Sequence, residues 1–524
     1  MSEKQPPDAR PKDEPEHGPL NAEAQAPQSP VPVHSIFPRW ERVTYIYIAS
    51  LAAFTSPVSS SIYYPAMSAL AHDLHTSLTN ISLTITTYMV FQGIAPTIVG
   101  GFSDRVGRRP AYFLSFTIFM AANIGLALQT NFVALIILRC LQSCGSSGTV
   151  TLSSGVVSDL VTRQQRGSYI GLASLGSSMG PALGPLIGGL LDHFLGWRAI
   201  FWFLTIFSGV MLLVIVIFIP ETGRNVVGNG SIPPQWWNRP LIEYSQLKKP
   251  VFTREDATQS EKSSRKRPGL LSSIPIILDK ESFLVMFFSG IIYAGYYIII
   301  TGLPQQLETT YNYNSIQVGL CYLPIGLGPL IIRPFIGHLL DANFRRHAKR
   351  LGVEITKDRQ HSIENFPIER ARLEVSLLCV YICSIAIIPY GWVMWLQHPP
   401  LPAALVLLFI LGMFLSATFQ PLTALIVDLN PQSPAAATAA HQFIRCLLGA
   451  GAVGIVNPML DAIGRGWTST LIALVWVMGS VCWWAAIYWG PRWRKKLPKE
   501  AENPTKTVEG TWSTRQARYR ERPC

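Results

Sequence analysis

The chain has 524 residues, 49% hydrophobic and only 14% charged, with 14 Trp and a formal net charge of +12. Soluble domains carry about 25% charged residues. Most of this chain therefore lies where charge is costly, which indicates a polytopic membrane protein. The positive balance is no nucleic-acid signature, because the basic residues sit between apolar runs and in the C-terminal tail.

Residues 1–40, rich in Pro, Glu, Asp and Ala, lack the apolar core of a signal peptide and read as a disordered cytosolic tail. Six apolar runs of membrane-spanning length follow within 41–220, at about 44–66, 79–101, 110–128, 132–157, 168–190 and 198–219. A polar stretch, 221–281, with Lys248-Lys249 and Arg265-Lys266-Arg267, reads as a cytosolic linker. Six further runs fill 282–490, at about 282–304, 316–338, 374–396, 402–427, 436–460 and 467–490. A basic tail, 491–524, ends the chain. The expected fold is an all-α membrane protein of twelve transmembrane helices in two pseudo-symmetric six-helix bundles.

Charge sets the expected orientation. One set of connections holds Arg105, Arg108, Arg109, Arg163, Arg166, the linker, Arg345, Arg346, Lys349, Arg350 and the C-terminal tail. The alternate connections carry His72, Asp73, His75, Asp192, Glu308 and Asp461, with Arg198 and Arg465 as their cations. Both termini are therefore expected on the cytosolic side. Seven of the eight cysteines lie inside apolar runs without metal-ligand spacing, so they read as small apolar fillers, and no metal site is expected.

Four patterns stand out. The first is the basic turn Gly100-Gly101-Phe102-Ser103-Asp104-Arg105-Val106-Gly107-Arg108-Arg109-Pro110 between the second and third runs. Its spacing recurs as Gly337, Asp341, Arg345 and Arg346, a degenerate copy with Asn343-Phe344 before the arginines. Glycines permit a tight reversal, and Asp104 can accept hydrogen bonds from an arginine or a helix N-terminus. The second is a glycine ladder in the fifth run, Gly176, Gly180, Gly184 and Gly188, interleaved with Pro181, Pro185 and Gly189. Spacing of four puts these glycines in one groove open to a neighbouring helix. The expected neighbour lies across the interface between the halves.

The third pattern is charge inside apolar runs. Arg139 lies about 10 Å from the outer end of the fourth run, followed by Gln142, and must face a polar cavity or a partner unless it snorkels outward. His441 and Arg445 form an i,i+4 pair in the eleventh run, with cavity lining and interface snorkelling both open. The fourth is aromatic: Tyr63 and Tyr64 in the first run, Tyr296 and Tyr297 in the seventh. They suit either a substrate cavity or an interfacial belt. No Asp or Glu lies deep within a run, so the group that would carry a coupled proton is not evident.

With these residues in place, the chain resembles the major facilitator superfamily over about residues 40–490. More narrowly, it is similar to the fungal twelve-spanner drug:proton antiporters of the quinidine-resistance type. Gly100-Gly101-Phe102-Ser103-Asp104-Arg105-Val106-Gly107-Arg108-Arg109-Pro110 resembles that family's signature between helices two and three. Leu138-Arg139 with Gly145 and Gly148 resembles its helix-four motif, whose arginine the family associates with proton coupling. Gly184-Pro185-Leu186-Ile187-Gly188-Gly189 resembles its antiporter motif, which favours export. Ser61–Met67 and Pro220-Glu221-Thr222-Gly223-Arg224 are also similar to fungal members. Some antiporters of this class keep an acidic residue in helix one, where this chain has none.

The resemblance implies a proton-driven exporter of drugs, toxins or secondary metabolites working by alternating access. It implies a small-molecule substrate and protons as partners, a monomer in the lipid bilayer, no cofactor, and a plasma-membrane location with the vacuolar membrane as alternative. The basic turn would then be a conformational latch. The alternatives are a nutrient uptake carrier in the same fold and efflux of polyamines or organic acids. A non-transporting membrane sensor rests only on the linker and tail. No nucleophile–base pair, metal cluster or nucleotide loop supports an enzyme.

Overall fold

The computed structural model describes residues 35–161, 166–230, 232–241, 273–350, 367–396, 398–430 and 434–495. The N-terminal half is built from α1 (Arg39–Ser61), α2 (Leu78–Val106), α3 (Arg108–Leu128), α4 (Phe132–Leu160), α5 (Arg166–Leu195) and α6 (Arg198–Phe218). The C-terminal half is built from α7 (Lys280–Tyr311), α8 (Leu323–Arg350), α9 (Ile368–Val393) and α10 (Leu401–Leu429). The helical stretch Pro434–Gly479 breaks at Gly464, whose φ is +74°, giving α11 (434–463) and the start of α12 (465–495), which is interrupted once more at Ser480. Among the described residues nine segments are long and apolar enough to cross a bilayer, and one of them, Ala436–Arg492, holds both α11 and α12.

The helix ends follow from local side-chain chemistry. Ser77, Asn131 and Asp279 accept from backbone N–H groups in the first turns of α2, α4 and α7. Asn312, in the left-handed region, closes α7. Asn314 and Gln317 then form a capping box that starts the short helix Ser315–Cys321 ahead of α8. α1 ends earlier than its apolar run, because the chain turns through the 3-10 segment Tyr64–Ala66, with Pro65 inside it, into the short helix Met67–Asp73.

The pairing of helices repeats between the halves. α1 lies on α5 as α7 lies on α11; α2 on α4 as α8 on α10; α3 on α4 as α9 on α10; and α3 on α6 as α9 on α12. The halves meet along α2 with α11 and along α5 with α8 and the Ser315–Cys321 helix. Alternation of helix direction gives the bundle a turn end, where α2 passes into α3, and a far end opposite.

Candidate functional site

The basic turn is tighter than the sequence implied. α2 stays helical through Gly100, Gly101, Asp104 and Arg105, so the stretch Gly100–Arg109 is not an extended turn: the chain reverses at Gly107 alone, with φ +122° and ψ 163°. A β-carbon there would sit 2.3 Å from Glu221 Oε2, so glycine is required for both its dihedrals and its space. Arg108 donates from Nη1 to Asp104 Oδ1 (2.8 Å) and Ser103 Oγ (2.6 Å), and from Nε to Asp159 Oδ2 at the end of α4 (2.8 Å). Arg109 is buried and donates to the carbonyls of Val216 and Trp237, which ties α3 to α6 and the segment after it. Arg105 is exposed.

Sequence reasoning gave Glu221 no role, yet it organises this corner. The buried carboxylate accepts from the backbone N–H of Arg108 (2.7 Å), Arg109 (3.2 Å) and Gly223 (2.7 Å), and from Asn238 Nδ2 (2.9 Å). It thus neutralises the orphan donors at the start of α3. Arg224 donates to the Asp159 carbonyl and Asn225 to that of Asp104. Residues 221–230 and 232–241, the first part of the stretch read as linker, therefore pack at this turn. Residues 242–272 lie outside the described residues.

The second copy is not a turn. Gly337, Asp341, Arg345 and Arg346 lie on one continuous helix, α8, with open space beside Gly337 and both arginines exposed. Phe344 stands where Gly107 stands in the first copy, and a bulky side chain does not adopt the positive φ a reversal there needs. The ionic role falls to other residues. Arg372 of α9 bonds Asp428 at the end of α10 (3.3 Å), as Arg108 of α3 bonds Asp159 at the end of α4. Glu374 of α9 joins α8 through His347 (2.8 Å) and Asn343, and also pairs with Arg370 (2.9 Å).

The glycine ladder faces α1, inside its own half, and not the interface between the halves. β-carbons added at Gly176, Gly180, Gly184 and Gly188 would sit 1.9 Å from Ser50 O, 2.6 Å from Pro57 Cβ, 2.0 Å from Ser61 Oγ and 2.0 Å from Ile62 O. Ser50 and Ser61 stitch the contact, Ser50 Oγ donating to Leu172 O (3.1 Å) and Ser61 Oγ to Gly180 O (3.0 Å). Ala182, Pro185 and Gly189 face the other half, where Gly326, Gly319 and Ser315 approach them at backbone distance; Pro181 sits between these surfaces on α5. A spacing of four identifies a groove without identifying its occupant.

Arg139 is fully buried, so it neither snorkels nor opens onto a cavity in this conformation. Its guanidinium carbon lies 4.4 Å from the ring centroids of both Tyr63 and Tyr88. Nη1 donates to Gln142 Oε1 (2.6 Å) and more weakly to Ser59 O (3.4 Å), and Gln142 donates in turn to Asn123 Oδ1 (2.7 Å). Nε and Nη2 have no hydrogen-bond partner. The cage holds ring faces and amide oxygens and no carboxylate among the described residues. Tyr63 belongs to this cage, with its hydroxyl 3.0 Å from Thr84 Oγ1.

Tyr64 stacks on Tyr322 of the other half, centroids 5.8 Å apart and planes 2° from parallel. Tyr296 and Tyr297 cluster with Tyr293, which the sequence did not single out, and the Tyr293 and Tyr297 hydroxyls are 3.1 Å apart. Arg445 lies over the Tyr293 ring at 4.5 Å and near Phe419 at 5.2 Å, and bonds Gln442. His441 is buried, its Nε2 2.8 Å from Ser289 Oγ on α7. The four tyrosines therefore divide: Tyr63 serves Arg139, Tyr64 seals the halves together, and Tyr296 and Tyr297 lie beside the Arg445 group.

Polar bonds between the halves concentrate toward the far end. Ser315 Oγ donates to Asp192 Oδ2 (2.5 Å), and Ser68 of the N-terminal half donates to Glu308 of α7. Asn457 bonds Ser82 (3.1 Å), and Thr86 bonds the Ala450 carbonyl (3.2 Å). Nearer the turn end, Arg333 donates to Ser174 O (3.1 Å) and Oγ (3.0 Å). At the far-end corner Trp197 and Arg198 donate to Asp73, and these two donors hold its carboxyl below the usual carboxylate range.

Comparison with known proteins agrees with this architecture. A family model described as Major Facilitator Superfamily matches residues 49–454. The MFS-type transporter phiD of a fungal species is 42% identical, with 91% of this chain and 72% of that protein covered. The MFS-type transporter clz19 of Cochliobolus lunatus is 43% identical, with 88% and 87% covered. Citrate exporter 1 of Aspergillus niger is 33% identical, with 91% of each chain covered. The crystal structure of the human organic anion transporter MFSD10 (TETRAN) superposes with a TM-score of 0.54 at 16% identity, over 85% of this chain and all of that one, a likeness of fold. A repeated pair of six-helix bundles, a glycine-pivoted basic turn and relatives over most of its length together make this chain a member of the Major Facilitator Superfamily, a membrane-spanning secondary transporter of small molecules and not an enzyme.

Proposed function

We propose that the chain is a proton-driven exporter of organic small molecules that works by alternating access, of the fungal drug:proton antiporter type, in the plasma membrane with both termini cytosolic. The observation that carries the reading is the asymmetry of the contact between the halves. The far end is joined by Asp192–Ser315, Ser68–Glu308 and the Tyr64–Tyr322 stack. The basic turn end, cytosolic by its Lys and Arg content, has open space beside Gly171 of α5 and Gly337 of α8. A carrier in this arrangement loads cargo from the cytosol and must break the far-end seal to release it.

Breaking that seal takes Ser315 from Asp192 and Ser68 from Glu308, and turns both carboxylates toward the outside. They are the residues we assign to proton uptake on that side. Arg139 is the internal cation whose uncompensated charge couples their protonation to the state of the N-terminal half. The export direction is further supported by the helix-five pattern and by a relative named as an exporter. The cargo class includes drugs, toxins and secondary metabolites, with organic acids and polyamines as narrower options.

The test is transport into inverted vesicles with an imposed pH gradient, acidic inside. Accumulation of cargo that collapses when a protonophore is added is expected. Movement of all candidate cargo at the same rate with and without the gradient would overturn the reading.

A further inference from the structure

Charge inside the bundle is one-sided. Among the described residues the carboxylates of the long helices lie toward helix ends: Glu41, Asp104, Asp159, Glu281, Asp341, Glu369, Glu374 and Asp428 on the turn-end side, Asp192, Glu308 and Asp461 at the far end. The positions between them hold Arg139, Arg333 and Arg445, and no hydrogen bond or ion pair described for any of the three goes to a carboxylate. Buried cations are ordinarily paired with acids, since desolvation of an isolated charge is expensive. One buried and two partly accessible cations without an acid leave a standing positive potential in the middle of the protein.

Arg139 is enclosed, whereas Arg333 and Arg445 are partly accessible and lie where the halves meet. Arg333 of α8 reaches Ser174 of α5 across the interface. Arg445 of α11 rests on Tyr293, and a β-carbon on Gly449, one turn further along, would meet both Tyr293 and Met89 of α2 in the other half. Arg445 Nε is buried without a hydrogen-bond partner, so the protein leaves the guanidinium's donors unsaturated. Beside it, the rings of Tyr293, Tyr296 and Phe419 offer apolar faces.

We propose that the cargo is an amphipathic organic anion, a carboxylate or comparable acid on an apolar or aromatic body, whose charge is taken by Arg445 where α11 meets α2, with Arg333, at the separate α5–α8 contact, adding to the same positive potential. The anion would supply the counter-charge that the protein omits. Polyamines and other organic cations are disfavoured by the same potential. The inference rests on the export reading only for the side from which cargo is loaded.

The test uses binding, so that it does not depend on direction. The full chain in nanodiscs of zwitterionic lipid is titrated with 2-naphthoate and with protonated 2-naphthylmethylamine, two probes of similar shape and opposite charge, and its unfolding temperature is followed. Naphthoate is expected to stabilise saturably and the amine is not. Arg445→Gln should weaken naphthoate at least tenfold, and Arg333→Gln by a smaller factor. Arg445→Lys, which keeps the charge and loses the fork, should fall between and stands in if the glutamine variant does not fold. Stabilisation by the amine equal to that by naphthoate, no stabilisation by either probe, or parental naphthoate affinity in both glutamine variants would overturn the proposal. Any of these three results leaves the direction of transport untouched, and cargo uptake in place of export leaves the anion standing.

Discussion

Arg139 carries its charge between two tyrosine faces with no acid beside it. Desolvation of such an ion costs several kcal/mol, while each cation–π contact returns about 2 kcal/mol when shielded from water. The balance leaves little net stability in the charge itself. Arg139→Gln, which keeps hydrogen-bonding atoms near Gln142, is therefore expected to fold with an unfolding temperature at or above that of the parent. Gradient-driven transport should fall tenfold or more, equivalent to about 1.4 kcal/mol or more in the transport barrier. Thermal unfolding and vesicle flux on the same preparation check both expectations, and a marked loss of stability would make the residue structural. Glu221 is the opposite case. Four donors converge on it, and bonds to a charged acceptor are worth about 1.5–3 kcal/mol each. Glu221→Gln places an amide N–H₂ against backbone donors and should destabilise the fold by about 2–4 kcal/mol, the cost of one or two such bonds. Asp104→Asn, at a more exposed carboxylate that bonds Arg108 alone, should slow transport at equal expression without lowering the unfolding temperature comparably.

At the scale of elements, the α1–α5 contact is set by absent side chains. Gly188→Ala would drive a β-carbon to 2.0 Å from the Ile62 carbonyl oxygen, a backbone atom that cannot swing aside. Gly171→Ala on the same helix meets nothing within 4 Å and gains up to about 1 kcal/mol of helix propensity. The first is expected to abolish folded protein and the second to be neutral or stabilising, as read by monodisperse yield and unfolding temperature; equal behaviour would contradict the packing. The number of spans, the two-fold repeat and the groove on α5 were legible in the sequence, because run length and spacing of four encode them directly. The neighbour in that groove was not, since helical periodicity identifies a face and says nothing of what covers it. The copy on α8 misled for a related reason: Gly337, Asp341, Arg345 and Arg346 keep the spacing, while the residue that makes the turn, Gly107, is replaced by Phe344. Glu221 escaped notice because its partners are backbone N–H groups, which carry no signature in sequence.

For the whole molecule the decisive quantity is the balance between closure at the two ends. Asp192 and Glu308 each take a hydroxyl from the opposite half, so the far-end seal is strongest when both are ionised; a bond to a charged acceptor is about twice as strong as a neutral one. Protonation from the far side therefore weakens the seal and shifts the population toward the conformation open on that side. Asp192→Asn with Glu308→Gln imitates the protonated pair. If each bond loses about 0.7 kcal/mol, the open population rises about tenfold, since every 1.4 kcal/mol is a factor of ten. Thr301, buried beneath the seal on α7, provides the reporter: Thr301→Cys, in a chain whose native cysteines are replaced, should react with an impermeant thiol reagent only when the far end opens. The double variant should label about ten times faster than its parent at neutral pH. After correction for the lower thiolate fraction, measured on an always-exposed cysteine, acidifying the far side should accelerate the parent toward that rate and leave the double variant unchanged. His193 stands next to Asp192 on α5, so the comparison is repeated with His193→Gln, where the acid response of the parent should persist. An acid response that survives in the double variant would place the proton-sensitive group elsewhere and detach the seal from the coupling.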